Sequence, residues 1–404
     1  MANEWAITPA SGVETTWDYT ASTDVRDVSE VLDSVYLADT PLMNRLKFGA
    51  NAKNVKIEWV SDNIGYGYVI LSNGGTVASN ASAVIIGTSG LGAVSLALRQ
   101  INTGTILKTN NTTATAVPQT RGYMLVRNPH AGTGVGSMEV DWMSGTAPSE
   151  ALSDATTLFI LGNAVAEASV PRLDKTRPRS LHSNYTQIFR QDIRMSGTRT
   201  SVEMHAVPNE LKHQIMLRAK EHKRQLERTY ILGHKDAGSS TSTDDTRTMG
   251  GILGFMSGQS GSHVSTDTTL AESSLNGVLA AMFDKGATPN VILTGPKQAR
   301  AFATFDRARV RVEQDSHVAG FYTNHFMSDL GWDLEILVSR WVPTNFLFVL
   351  DTAKVVPRAL QGRKYILEKL AKVGDYQNWQ LIAELTLEMR GYTEAQHGMY
   401  YLLT

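Results

Sequence analysis

The side chains in this sequence able to hold a metal, move a proton or bind a phosphate are its scattered histidines, two carboxylate pairs and two runs of basic residues. His213 and His222 share one helical segment, but nine residues at about 100° each set them on opposite faces, so they cannot hold one metal within that helix. Each is read as a satisfied core or interface histidine. Asp244 and Asp245 adjoin in a Ser/Thr-rich loop, and Glu384 and Glu388 share one face of an alternating segment. Acid–base catalysis needs one carboxylate desolvated beside a pocket, and neither context supplies that. Glu384 and Glu388 are expected to face solvent or a neighbouring chain, with ion pairing across an interface as the variant. Lys212, Arg218, Lys220, Lys223, Arg224 and Arg228 cluster on the segment that carries the two histidines, while Arg307, Arg309 and Arg311 alternate with Ala308, Val310 and Val312. Like charges about 6.6 Å apart along a strand repel unless an acid or a phosphate lies opposite. The simple reading is solvated faces with local partners such as Glu221, Glu227 and Glu313; the alternative is salt bridges between subunits or loose contact with nucleic acid.

Gly65-Tyr-Gly67 and Gly132-Thr-Gly134-Val-Gly136 lack the third glycine of a dinucleotide loop and are read as turns. Phosphate-cradling, elbow-nucleophile and zincin motifs are missing. With no cysteine, thiolate metal sites, disulfides, iron–sulfur clusters and a cysteine nucleophile are excluded. No catalytic, cofactor-binding or metal residue is assigned, and the protein is not expected to be an enzyme.

The elements that carry these residues belong to a globular chain. Its 404 residues are 42% hydrophobic and 19% charged, enough apolar material for several cores. Lys and Arg number 38 against 39 Asp and Glu, so the net charge of -1 gives no global field that would hold nucleic acid or an anionic membrane. The N-terminus has no basic region followed by an apolar run, and the most apolar short run, Phe346 to Leu350, is far below the roughly 20 residues that span a bilayer. No membrane partner is expected.

Residues 1–26 are polar, with isolated Trp5, Trp17 and Tyr19, and read as an extended arm. Val28, Val31, Leu32, Val35 and Tyr36 give Asp27 to Ala38 the stripe of a short helix. Val55, Ile57 and Trp59 alternate with Lys56 and Glu58 as a half-buried strand, and Tyr185 to Ile193 reads as a second. Residues 71–170 carry only nine charged side chains, half the chain's average density, and contain candidate strands at Val84–Ile86, Thr105–Lys108, Tyr123–Val126, Met138–Trp142 and Leu158–Leu161. This is an all-β insert, placed near the tip of a long hairpin made by strands 53–60 and 184–195. Leu211, Ile215, Ala219, His222, Leu226 and Tyr230 then recur at helical spacing between Pro208 and Gly233, one helix of roughly 37 Å. A mixed α+β region follows, with helices at Leu270–Phe283 and from Pro296 and strands at Asn290–Thr294, Leu334–Val338 and Phe346–Val349. The end of the chain alternates as a long strand, with Leu381, Ala383, Leu385, Leu387 and Met389 on one face.

In this order the chain resembles a tailed-phage major capsid protein of the Hong Kong 97 type. The stretches that carry the resemblance are Lys53-Asn-Val-Lys-Ile-Glu-Trp59, Asn184-Tyr-Thr-Gln-Ile-Phe-Arg190, Ser196-Gly-Thr198, Asn209-Glu-Leu211 and Ala219-Lys-Glu-His-Lys-Arg224. Further on are Met249-Gly-Gly251 with Leu253, Glu368-Lys-Leu-Ala-Lys-Val-Gly-Asp375, Glu384-Leu-Thr-Leu-Glu388 and Ala395-Gln-His-Gly398. Each is weak alone; their order is specific, and they cover most of 27–70 and 180–404.

The resemblance implies an α+β Hong Kong 97-type capsid fold with an inserted small all-β domain. Residues 1–49 would be the N-terminal arm, 50–70 and 180–200 the two strands of an extended loop, 71–179 the insert, and 201–237 the spine helix of the peripheral domain. Residues 238–365 would form the axial domain and 366–404 the returning peripheral strands. Lys56, Glu58, Trp59, Arg190, Arg194, Glu384 and Glu388 then become candidate contacts between subunits, and Arg307, Arg309 and Arg311 a basic cluster on the lumen or capsomer axis. The implied partners are further copies of the chain in hexamers and pentamers, portal and scaffolding proteins, and packaged double-stranded DNA held without specificity; the insert has three open roles, to decorate the outer surface, to clamp a neighbour or to receive a cement protein. With only some 50 residues ahead of the first strand, no scaffolding extension is expected before the arm, and scaffolding is expected to come from a separate protein. The implied location is the virion, after assembly in the host bacterial cytoplasm. The other readings weighed are a cellular nanocompartment shell with the same fold and a carbohydrate-binding module on a hydrolase.

Overall fold

The computed structural model describes residues 40–62, 67–71, 83–85, 101–110, 122–129, 137–143, 157–168, 179–202, 209–238, 246–257, 263–267, 269–302, 305, 310–313 and 322–402. The arm residues 1–39 with the expected helix at 27–38, the Asp244-Asp245 pair, and Arg307 and Arg309 lie outside the described residues. Two compact units form: Gln191–Glu221 with Leu367–Leu381, and Asp39–Arg190 with His222–Ile366 and Ile382–Thr404.

In the larger unit, the short helix α1 (Pro41–Arg45) leads to β1 (Lys56–Ser61). The low-charge region supplies β2 (Tyr68–Ile70), β3 (Ala83–Ile85), β4 (Thr105–Asn110), β5 (Tyr123–Asn128), β6 (Ser137–Trp142) and β7 (Thr157–Asn163). These six pair antiparallel in the order β2-β7-β4-β5-β6-β3. Alternation explains why: Leu107, Met124, Val126, Met138, Val140 and Leu158 project to one side and form a core of their own.

The chain returns in β8 (Ser180–Tyr185), which pairs antiparallel with β1 from Lys56↔Tyr185 to Ser61↔Ser180. The expected return strand at 184–195 is therefore two strands. β9 (Gln187–Ser196) does not continue along β1; it pairs with the long strand near the C-terminus. The change of partner falls at Thr186, fully buried, whose N–H still reaches Val55 O at 2.8 Å while its hydroxyl turns to Glu384.

After the short α2 (Gly197–Ser201), α3 (Glu210–Leu232) is the expected long helix. Asn209 Oδ1 accepts the Lys212 N–H at 3.0 Å, a cap for the exposed N–H groups of the first turn. Most of α3 is Leu, Ala, Glu, Gln, Lys and Arg, with no glycine or proline, and Gly233 follows its end. Burial is uneven along it: His222, Leu226, Glu227, Tyr230 and Ile231 are buried, all from its second half.

The rest of the chain builds α4 (Ile252–Met256), β10 (His263–Asp267), α5 (Glu272–Asp284), β11 (Val291–Thr294), α6 (Pro296–Phe302), β12 (Val310–Glu313), β13 (Tyr322–Met327), β14 (Asp333–Val338) and β15 (Phe346–Leu350). Then come β16 (Val355–Ala359), β17 (Ile366–Lys369), β18 (Tyr376–Met389) and β19 (Gly398–Leu402). A mixed sheet runs β10-β19-β15-β11-β14-β13-β12, with β10/β19 and β11/β14 parallel. Helices α5 and α6 share one apolar core with it, through Leu275, Leu279, Met282 and Phe302 against Ile292, Phe326, Leu347 and Tyr400. A third core joins Ile57 and Trp59 of β1, Leu226 and Tyr230 of α3 and Leu385, Leu387 and Met389 of β18. In the smaller unit the buried hydrophobic residues, among those described, are Ile193 and Met195.

Candidate functional site

The motif Asn184–Arg190 works as a set of side-chain ties. Asn184, fully buried, donates from Nδ2 to Leu387 O at 2.7 Å and Gly250 O at 3.1 Å, and its Oδ1 accepts the Gly250 N–H at 2.8 Å. Gln187 Oε1 accepts the Met249 N–H at 3.2 Å. The strand motif therefore binds Met249-Gly-Gly251 and β18 at once. Those glycines are needed for contact between backbones. A Cβ on Gly251 would lie 2.5 Å from Thr229 O and 2.6 Å from Gly233 N, and one on Gly233 would lie 2.7 Å from Met249 O. The helix end and the glycine pair touch directly, sealed by the Gly251 N–H to Gly233 O at 2.9 Å. In the smaller unit two other motif stretches meet: the Gly197 N–H donates to Asp375 O at 3.1 Å.

Glu384 and Glu388 correct the expectation that they face solvent or a neighbour. Both are 2% exposed, because β18 is covered on both sides from Ala383 to Met389. Glu384 accepts from Thr186 Oγ1 at 2.8 Å and Arg247 Nη2 at 2.9 Å. Arg363 Nε lies 2.9 Å from its other oxygen, an ion pair although the N–H is not aimed along the contact. Glu388 holds Arg358 at 2.8 Å and Arg390 at 2.6 Å. Four guanidiniums thus surround two buried carboxylates within one chain. A buried charge is retained only when paired and hydrogen-bonded; Arg390 lies two residues from Glu388, but no periodicity argument reveals Arg247, Arg358 and Arg363, which lie 137, 30 and 21 residues from their glutamates.

Glu227 is a second correction. Expected as a solvated partner for lysines and arginines, it is fully buried and accepts the N–H groups of Leu42 and Met43 at 3.0 and 2.8 Å. It thereby caps α1, whose own N-cap Thr40 makes no side-chain cap bond. Of the other expected pairs, Arg218 does meet Glu221, at 2.6 Å. Arg228 instead lies over the ring of Trp341 at 4.0 Å. His222 is a core histidine but not a satisfied one: neither ring nitrogen has a hydrogen-bond partner. Its ring meets Phe189 and Tyr365 edge-on, each at 6.1 Å, and burial holds its pKa below the usual histidine value.

The remaining candidates divide. Trp59 is 7% exposed and packs against Phe255 and Tyr392, so it faces the subunit's core and cannot be an exterior contact. Lys56 and Glu58 pair with each other at 2.5 Å on the outer face of the hairpin, which raises the Lys56 pKa. Beside them Val60 and Leu181, register partners, are 58% and 63% exposed. Arg190 is exposed. Arg194, also exposed, lies over Tyr376 at 4.7 Å and donates to Asn378 at 3.1 Å, so it already has partners in its own unit. Arg311 lies in β12 opposite His325. Among the described residues no group of three His, Cys, Asp or Glu is placed to hold a metal, and no helix is long and apolar enough to cross a membrane. Sequence reasoning missed Glu227, Arg247, Arg358 and Arg363; Asn184 carried a signal, because it opens the motif.

Comparison with known proteins adds three findings. A family model described as SU10 major capsid protein matches residues 11–404. The chain is 23% identical over 287 residues to the major capsid protein of Escherichia phage Phieco32, covering 59% of this chain and 81% of that one. Similar solved structures include the capsid of a native GTA particle, with 10% identity, 99% and 100% coverage and a TM-score of 0.49, and a structure from Microbacterium phage Oxtober96, with 11%, 96% and 99%, and 0.47.

Proposed function

The chain belongs to the SU10 major capsid protein family and is a phage major capsid protein, and from that premise we propose that its copies close into an icosahedral shell of hexamers and pentamers around a double-stranded DNA genome. The observation that carries this reading is the state of the smaller unit. Val202, Met216, Leu367, Leu370 and Val373 are 53, 48, 43, 39 and 80% exposed there, against two buried hydrophobic residues among those described. Apolar surface of this kind marks a contact site. Many weak contacts then add by multivalency and symmetry.

In this reading β1 and β8 are the extended loop of a Hong Kong 97-type subunit, α3 is the spine, residues 238–365 with α5 and α6 are the axial domain, and residues 366–404 are the returning peripheral strands, of which β19 pairs with β10 and β15 in the mixed sheet. The Lys56–Glu58 edge with Val60 and Leu181 lies on a neighbour, while Trp59, Glu384 and Glu388 hold the subunit together. The β2–β7 sheet decorates the outer surface, clamps a neighbour or receives a cement protein. Portal and scaffolding proteins join during assembly in the host cytoplasm. The role requires no catalytic group.

Expression of the chain followed by sedimentation and negative-stain electron microscopy tests this. Closed particles of uniform size are expected. A chain that stays a folded, lone subunit at every concentration and ionic strength refutes it.

A further inference from the structure

Helix α5 turns Ser273, Gly277 and Ala280 outward, small residues at helical spacing, and they floor an open groove of about 670 Å³. A Cβ at Gly277 would meet nothing within 4 Å, so the floor is low enough for a side chain to lie on it. Glu272, in the first turn of α5, and Asp329, between β13 and β14, line the same groove. Asn276 lines it too; the residue is 9% exposed and its Oδ1 accepts no hydrogen bond. A buried acceptor without a donor calls for one to arrive. Two carboxylates and one orphan carbonyl oxygen match an ammonium or a guanidinium, whose N–H groups donate and whose charge is compensated. A metal fits less well, because the groove lacks a third ligating carboxylate or imidazole among the described residues.

The chain carries such cations on α6. Lys297 and Arg300 are one turn apart on one face, both exposed, and among the described residues neither pairs with a carboxylate. Helix α5 packs on β10 and β19, α6 on β14, with β15 and β11 between them in the sheet. Resting on the shell reading above, we propose that the α5 groove of one copy receives Lys297 and Arg300 of a second copy. Groove and cations are different surfaces of one chain, so the contact is heterologous and repeats head to tail until a ring closes. Its charges select the register between neighbours.

The absence of cysteine makes the test clean. Particles of a chain carrying Ser273→Cys and Lys297→Cys, mildly oxidised, should run as a ladder of covalent multimers on a non-reducing gel, and particles of either single variant should not. Normal particles of the double variant that remain monomeric on that gel overturn the contact and leave the shell reading standing; a parent chain that forms no particles overturns the shell reading itself. Charge exchange provides a second arm that does not depend on cysteines. Glu272→Lys or Arg300→Glu alone should lower particle yield at least about tenfold by like-charge contact, and the two together in one chain should restore it. Unchanged yield in the single variants, or no recovery in the combined chain, refutes the pairing.

Discussion

Acidification should weaken this subunit through His397 before its carboxylates are neutralised. The imidazole is 1% exposed, with Nε2 3.0 Å from Arg390 O and Nδ1 3.3 Å from the Asp351 N–H. That pattern requires the neutral ring, with Nε2 donating and Nδ1 accepting. Burial lowers the pKa to about 4; the Arg390 carbonyl and Asp351 oppose the shift, and Lys354 adds to it. In the unfolded chain the value returns to about 6.5. The unfolded state therefore binds more protons between those two values, so the stabilisation is complete above pH 6.5 and is lost as pH falls toward 4. A difference of about 2.5 units corresponds to roughly 3 kcal/mol in total, of which about 1.4 kcal/mol is gone by pH 5.5. The assay is tryptophan-detected urea unfolding of the dissociated subunit from pH 7.5 to 4.5, for the parent chain and for His397→Gln, which keeps a donor for Arg390 O. His182 and His222 also have lowered pKa values and persist in both proteins, so the difference between the two curves isolates His397. That difference should shrink by about 1.4 kcal/mol between pH 7.5 and 5.5. Parallel curves for the two proteins refute the reasoning.

Leu226→Ala should cost about 2–5 kcal/mol, because Leu226 is fully buried in the core shared by α3, β1 and β18; an unchanged urea midpoint would mean that the helix does not bury this face. Replacing Arg247 and Arg363 together with Met strands the Glu384 carboxylate and should cost about 3–5 kcal/mol, while each single change leaves one cation in place and costs clearly less. A double-mutant cycle in urea reads the coupling, and simple additivity of the two single losses contradicts the shared carboxylate. Gly251→Ala drives a Cβ to 2.5 Å from the Thr229 carbonyl oxygen, a backbone atom that cannot swing aside, and should cost about 1–3 kcal/mol or more; soluble yield and melting temperature equal to those of the parent would refute the direct contact.

Much of the architecture was legible because local pattern and global burial agree. The period of 3.6 in α3, the alternation in β4 to β7 and the glycine after Leu232 each report a face that must be covered, whatever covers it. The family resemblance was legible for the same reason, since its motifs are local strings. What eluded local reading were partnerships between distant positions. Alternation along β18 identifies two faces, but not that both are buried between Ala383 and Met389, so Glu384 and Glu388 read as outward residues. Trp59 alternates correctly with Lys56 and Glu58, yet its inward direction follows from which side of the β1–β8 ribbon the core occupies.

From sequence alone come the absence of thiol chemistry, the near balance of charge, the long helix α3 and the main strands, and the low-charge region, because each depends on composition or on spacing within a few turns. Tertiary structure decided that Glu227 caps α1, that four arginines converge on two buried glutamates, and that Asn184 ties Gly250 to Leu387. A buried polar group is stable only beside the partner that replaces its water, and the sequence does not record which distant residue the folded chain brings there.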